Sequence, residues 1–135
     1  MLDNSVALAW CFEDEQTPVI MDLLDRVAEA GANAPLLWPL EALNGLLVAE
    51  RRRRLDPERR SRLAMFLREL PIRLDNETAD QAWDATGKIA HELKLTLYDA
   101  TYLELALRRR LPLASLDQNL RKAATAVGVE VLGLS

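Results

Sequence analysis

Four acidic residues carry most of the chemistry this sequence offers. Asp3 precedes the small apolar string Ser5-Val6-Ala7-Leu8. Glu41 and Asn44 are the only polar side chains between Ala34 and Ala49, apart from the indole nitrogen of Trp38. At i and i+3 they share one helix face. Asp99 stands in Leu97-Tyr98-Asp99-Ala100, in the first turn of a largely apolar helix, and Asp117 directly follows Leu113-Ala114-Ser115-Leu116. Singly, Asp117 reads as a helix N-cap and Asp3 as an exposed terminal residue, since acids suit helix starts. Glu41 and Asp99 have apolar neighbours, and an isolated buried charge is costly. Gathered at one place, four carboxylates repel and raise one another's pKa values unless a cation neutralises them. Oxygen ligands without His or Cys suit Mg²⁺ or Mn²⁺, which keep water and leave room for phosphate oxygens. Setting the four aside leaves 17 acids against 17 bases, and two divalent ions would cancel the site's own charge.

Other chemistries lack their residues. No glycine-rich phosphate loop is present, because Gly87-Lys88 has neither the earlier glycine nor the following hydroxyl. The five glycines form no dinucleotide fingerprint. The single histidine, His91, sits beside Glu92 in a polar stretch and has no partners for a triad or a zinc site. Cys11, the only cysteine, cannot form an internal disulfide and reads as a small core residue. Trp10, Trp38 and Trp83 read as packing anchors rather than stacking platforms for bases. An aspartyl phosphatase would need a second acid two residues after Asp3, where Ser5 stands.

The elements that must position the acids alternate in type. Thr17-Pro18 opens a helix to about Ala30, which Gly31 can end. Pro39 opens a helix to about Arg53, Asp56-Pro57 another to about Leu70, and Asn76 caps a fourth to about Glu92. A fifth runs from about Tyr98 to Arg109, and a sixth from Gln118 to Val127, before Gly128. Short apolar runs at Ala34–Leu37, Ile72–Leu74, Leu93–Leu97, Leu111–Ser115 and Val129–Leu132 read as strands. Strands alternating with helices argue for βαβ units and an α/β fold with a parallel sheet. In such sheets ligands bind beyond the carboxyl ends of the strands, and each of the four acids lies near that edge.

The 135 residues are one domain's worth, 50% hydrophobic and 28% charged, with no repeat or linker. The run Ala34–Ala49 is too short and polar to cross a bilayer, and no signal peptide is evident, so a cytoplasmic protein is expected. The net charge of −4 argues against coating nucleic acid by bulk electrostatics. Its distribution is uneven: 14 of 17 basic residues are arginine, and seven lie between Arg51 and Arg62. Arg108-Arg109-Arg110 and Arg121-Lys122 form further clusters. Arg51, Arg52, Arg53 and Arg54 are candidates to grip phosphates, or an acidic protein segment, by forked hydrogen bonds, although such arginines also serve as solvated helix faces. The apolar faces carrying Leu43, Leu46 and Leu47, and Leu63, Phe66 and Leu67, suit a core, a dimer or a partner helix.

The strings Leu2-Asp3-Asn4-Ser5-Val6-Ala7-Leu8-Ala9-Trp10, Glu41-Ala42-Leu43-Asn44, Thr96-Leu97-Tyr98-Asp99-Ala100-Thr101-Tyr102-Leu103 and Leu113-Ala114-Ser115-Leu116-Asp117, in this order, resemble PIN-domain proteins. The likeness is to the VapC-type toxins of bacterial toxin–antitoxin pairs, and it spans Leu2 to Leu132. The resemblance implies one PIN domain over residues 1–135, its central, mostly parallel sheet flanked by helices. It further implies a Mg²⁺- or Mn²⁺-dependent endoribonuclease acting on RNA, held inactive by a cognate VapB-type antitoxin; a homodimer is expected beside it from the apolar helix faces. By motif, Asp3, Glu41, Asp99 and Asp117 take the family's acidic, metal-holding positions. Asn44, Ser5 and Ser115 take its accompanying polar positions, Ser115 standing where threonine is more usual. Family members usually carry several residues before the first aspartate, whereas Met1 and Leu2 alone precede Asp3, barely enough for strand pairing. The implied reaction is in-line attack by an activated water, leaving a 5′-phosphate and a 3′-hydroxyl. The alternative is a PIN-like module that binds RNA or protein without cleaving.

Overall fold

The computed structural model describes residues 1–134. Five short segments lie side by side. β1 (Ala32–Pro35) pairs in parallel with β2 (Ile72–Asp75), and β3 (Leu113–Ala114) pairs in parallel with β4 (Val131–Leu132). The first residues of the chain join the two pairs. Leu2 forms a parallel bridge with Ala114, and its N–H donates to Asn33 O at 2.9 Å. The Ala114 N–H donates to Met1 O at 2.9 Å, and the Asp3 N–H to Ala114 O at 3.0 Å. The order across the sheet is therefore β2, β1, the first residues, β3, β4. Met1 and Leu2 suffice for the central position, and both are buried. The register delivers Asp3 to the end of this central segment.

Helices surround the sheet: α1 (Asn4–Ala9), α2 (Pro18–Ala30), α3 (Trp38–Arg51), α4 (Pro57–Glu69), α5 (Thr78–Gln81), α6 (Gly87–Leu93), α7 (Leu97–Arg109) and α8 (Gln118–Ala126). The caps expected at Thr17 and Asp56 form, whereas Asn76 caps no helix, Glu77 standing before α5 without a side-chain cap. Thr17 Oγ1 accepts from Ile20 N, and Asp56 Oδ1 from Arg59 N at 2.7 Å. Gly31 ends α2 with φ of 77°, and a Cβ there would lie 2.8 Å from Pro71 O, so only glycine meets both demands. On α3, a Cβ at Gly45 would lie 2.4 Å from Leu8 Cδ1. That missing side chain lets α1 close on α3 and brings Asp3 and Glu41 onto neighbouring elements. The core gathers Leu2, Val6, Ile20, Leu46, Tyr102, Leu103, Leu105, Leu113 and Leu120, all essentially inaccessible. Full burial of each such aliphatic side chain contributes about 1.5–3 kcal/mol relative to exposure.

Three expectations are corrected. Leu93–Leu97 is no strand: α6 runs to Leu93, Lys94 turns left-handed at φ of 55°, and the Thr96 hydroxyl caps α7 by accepting from Asp99 N. Leu93 ends α6 and Leu97 starts α7, with Leu95 in the turn between them, which five residues of sequence do not reveal. The helix expected from Asn76 to Glu92 is broken, α5 being followed by a wide π turn at Ala82–Thr86 where Asp84 leaves helical geometry. That break turns Trp83 outward, 94% exposed, so it is not a packing anchor. Trp10 and Trp38 are buried as expected, and Trp10 Nε1 donates to Ile20 O at 2.8 Å. Cys11 is buried in the core, and burial pushes its thiol up to about 11. His91 is exposed.

Candidate active site

Asp3 is only 4% exposed, so it is not the solvated terminal residue its position suggests when taken alone. Two serines hold it. Ser5 Oγ donates to Asp3 Oδ2 at 2.7 Å, and Ser115 Oγ donates to the same oxygen at 2.8 Å. Both serines also accept: Leu116 N–H donates to Ser5 Oγ at 2.9 Å, and Asp117 N–H to Ser115 Oγ at 3.1 Å. The start of the chain and the turn after β3 are thus sewn together around one carboxylate oxygen. Oδ1 is left without a side-chain donor.

Glu41 lies in the first turn of α3, half-buried, and its Oε1 accepts from Tyr102 Oη at 2.5 Å. Asp99 lies in the first turn of α7, one helical turn before Tyr102 on the same face. Asp117 is the N-cap of α8, its Oδ1 accepting from Leu120 N at 3.0 Å. The capping role read from the sequence is therefore real and coexists with a place among the acids. Asn44 is exposed on α3 and makes no hydrogen bond to the carboxylates.

The four acids share one electrostatic environment. Burial, chiefly, raises the Asp3 carboxyl above its ordinary range; its two serine donors and Asn4 oppose this, and the Asp117 charge adds to it. Burial raises Glu41 as well, offset by the Tyr102 hydroxyl and reinforced by Asp3 and Asp99. Asp99 is raised by burial, then by the charges of Asp117 and Asp3. The chain thus gathers like charges that lack an internal counter-ion, an arrangement common at functional sites. Three of the four have one oxygen engaged by the protein, so each keeps donor capacity for a ligand. The donor set is all oxygen and fits a hard divalent cation, which would remove the repulsion. Among the described residues, however, no three His, Cys, Asp or Glu side chains close into a ready cage.

The arginines divide by role. Arg51, Arg52 and Arg53 are exposed near the end of α3, with Arg53 in the left-handed region at φ of 61°. Arg54 is spoken for: its guanidinium lies 4.1 Å from the Phe12 ring centroid and pairs with Asp14 and Glu15, both at 3.1 Å. Arg108 turns inward from the cluster that contains it, forking onto Glu104 and Asp75 and reaching Glu77. Arg121 donates to Ser115 O at 2.7 Å and Leu132 O at 2.9 Å, bracing the turn that carries Ser115. Both Arg108 and Arg121 belong to basic clusters in the sequence, and their hydrogen bonds assign them to the scaffold. Tyr102 and Arg121 are the site-supporting residues that the sequence did not single out. The i, i+3 spacing of Asp99 and Tyr102 was the available signal for the first.

A groove of about 510 Å³ lies elsewhere, between α3, α4 and β2. It is apolar, none of the four carboxylates lines it, and it contains Trp38, whose buried Nε1 has no hydrogen-bond partner.

The sequence matches the PIN domain family over residues 1–126, and the chain belongs to that family. The fold is similar to that of PAE2754 from Pyrobaculum aerophilum, with a TM-score of 0.71 and 24% identity, covering 96% of this chain and 87% of that one. At that identity the likeness speaks to the fold. No curated protein matches the sequence. PIN domains are typically nucleases and generally use divalent metal ions, which agrees with an oxygen-donor cluster at the end of the central strand. No helix is long and apolar enough to cross a membrane.

Proposed function

We propose that the protein is a Mg²⁺- or Mn²⁺-dependent endoribonuclease, a toxin of the VapC type that a cognate VapB-type antitoxin restrains. One observation carries the nuclease reading: Asp3, Glu41, Asp99 and Asp117, from separate elements, converge closely enough that Asp117 acts on Asp3, Asp3 and Asp99 on Glu41, and Asp117 and Asp3 on Asp99, each charge raising its neighbour's carboxyl. A fold keeps such a cluster at a cost, and phosphodiester chemistry on a divalent ion gives it a use. Asp3, Asp99, Asp117 and Glu41 would hold the metal. When bound, that ion would supply charge stabilisation for phosphate and a more acidic water.

The chain's own contribution is placement. Ser5 and Ser115 fix the rotamer of Asp3 so that Oδ1 faces away from them. The cap at Asp117 anchors the start of α8, and the first turn of α7 presents Asp99. Arg51, Arg52 and Arg53 lie exposed where RNA phosphates, or an acidic antitoxin segment, can be met by forked hydrogen bonds. The toxin class, the RNA preference and the antitoxin rest on the resemblance of the four motifs, and a homodimer on the apolar faces of α3 and α4. A binding-only PIN module would have the same fold but no metal-dependent turnover.

End-group analysis of cleaved RNA tests the reaction. Attack by water leaves a 5′-phosphate that a ligase can join and a 3′-hydroxyl. A 2′,3′-cyclic phosphate would mean attack by the ribose itself and would contradict the proposal.

A further inference from the structure

Tyr102 is wholly inaccessible, yet its hydroxyl does not satisfy a backbone group. It reaches from α7 to α3 and donates to Glu41 Oε1 at 2.5 Å. An ionised carboxylate only accepts, so the phenolic hydrogen is committed to Glu41. Tyr102 also lies one turn after Asp99, on the helix face that presents Asp99 to the other acids. A single aromatic residue in the core therefore fixes the spacing of two site carboxylates: Asp99 through the helix they share, and Glu41 through its hydroxyl. With Oε1 held, the remaining oxygen of Glu41 has one defined direction instead of a free rotor.

We infer that Tyr102 is a positioning residue for the metal centre, acting through Glu41 to set the carboxylate geometry that a divalent ion meets. This rests on the metal-nuclease reading above. Partners that orient a metal's ligands commonly change its affinity by about 10–100-fold when removed. A tyrosine that only tied α3 to α7 would affect folding and leave the affinity of the folded protein alone.

The bond can be broken from either end. Tyr102→Phe removes only the hydroxyl. Glu41→Asp keeps the charge but withdraws the carboxylate by one methylene. Mn²⁺ affinity is read by titration calorimetry or electron paramagnetic resonance, with the melting temperature of each metal-free protein recorded beside it. Each variant is expected to bind Mn²⁺ about 10–100-fold more weakly, and the double variant no more weakly than the worse single one. Wild-type affinity in either folded single variant would overturn the inference, whatever the shift in melting temperature. Independent, additive losses would overturn it too, because the two residues would not be acting through one bond. If the wild-type chain takes up no Mn²⁺, the metal-centre reading itself fails, and this inference with it.

Discussion

Ser115 and Asp3 are 112 positions apart in the chain and 2.8 Å apart across a hydrogen bond, hydroxyl to carboxylate, with no accessible surface on the serine. This one contact closes the candidate site, because it joins the first segment of the sheet to the turn after β3. Ser115→Ala leaves a buried carboxylate with one donor fewer. The metal-free protein is expected to lose about 1–3 kcal/mol in denaturant unfolding at neutral pH. An unchanged unfolding midpoint would mean that Ser5 alone satisfies Asp3.

The raised carboxyls set a pH signature. At Asp99 the folded chain holds its proton more tightly than the unfolded chain does, so stability falls as pH rises through the folded pKa. Asp3 and Glu41 act with the same sign. The Met1 amine opposes them: burial, then the charge of Arg73, lowers it to about 6, so its contribution weakens as pH falls from 8. Comparison with Asp99→Asn cancels that background. The variant is expected to melt above the metal-free wild type at pH 7.5, the gap closing as pH falls toward the ordinary carboxylate range near about 4. A variant that melts below the wild type at pH 7.5 would show that Asp99 is not a strained charge.

Arg108 makes the opposite kind of prediction. Asp75 and Glu104 are buried, and the Arg108 guanidinium forks onto both while also reaching Glu77 at 3.0 Å. Burial works to raise the Asp75 carboxyl, but the hydrogen bonds and charge of Arg108, with the Glu77 N–H, prevail and hold it below its ordinary range. Its contribution is present above the unfolded carboxyl pKa and is lost as pH falls through the folded one. Arg108→Ala strands buried Glu104 and leaves Asp75 only Arg109, at 3.6 Å, as a cation partner, with an expected cost of about 3–5 kcal/mol at neutral pH. A loss below 1 kcal/mol would reduce the network to a solvated surface cluster.

The exposed residues divide between stability and binding. Trp83→Ala is expected to change stability by no more than about 0.5 kcal/mol, whereas Trp10→Ala should cost about 3–5 kcal/mol. Joint alanine substitution of Arg51, Arg52 and Arg53 is expected to weaken RNA binding and flatten its salt dependence, leaving the melting temperature unchanged. Salt dependence equal to that of the wild type would remove these residues from the RNA interface.

Much of this was legible in the sequence. The caps at Thr17 and Asp56 and the stop at Gly31 are local chemistry, so sequence reading placed α2 and α4 to within a residue. Glu41 and Asp99 stood out because carboxylates amid apolar neighbours conflict with burial, whereas Asp3 and Asp117 read singly as a terminal residue and a helix cap and drew notice only as members of the set. What the sequence hid was non-local. Whether Met1 and Leu2 could fill the centre of a sheet depended on hydrogen bonds to Asn33 and Ala114, far along the chain. The Leu93–Leu97 run has the composition of a strand but holds a left-handed Lys94 and a Thr96 cap, and composition does not report φ. Clustering of arginines gave no sign that Arg108 and Arg121 turn inward, because the acids and carbonyls they meet come from other elements.

The central claim is that the gathered carboxylates make a metal-dependent ribonuclease. The most direct measurement is digestion of total RNA by the purified protein with Mg²⁺ or Mn²⁺, set beside a chelator control and Asp99→Asn. Discrete cleavage products that disappear with chelator and fall by orders of magnitude in the variant are the predicted result. Cleavage that survives chelation, or persists at wild-type rate in Asp99→Asn, would contradict the account.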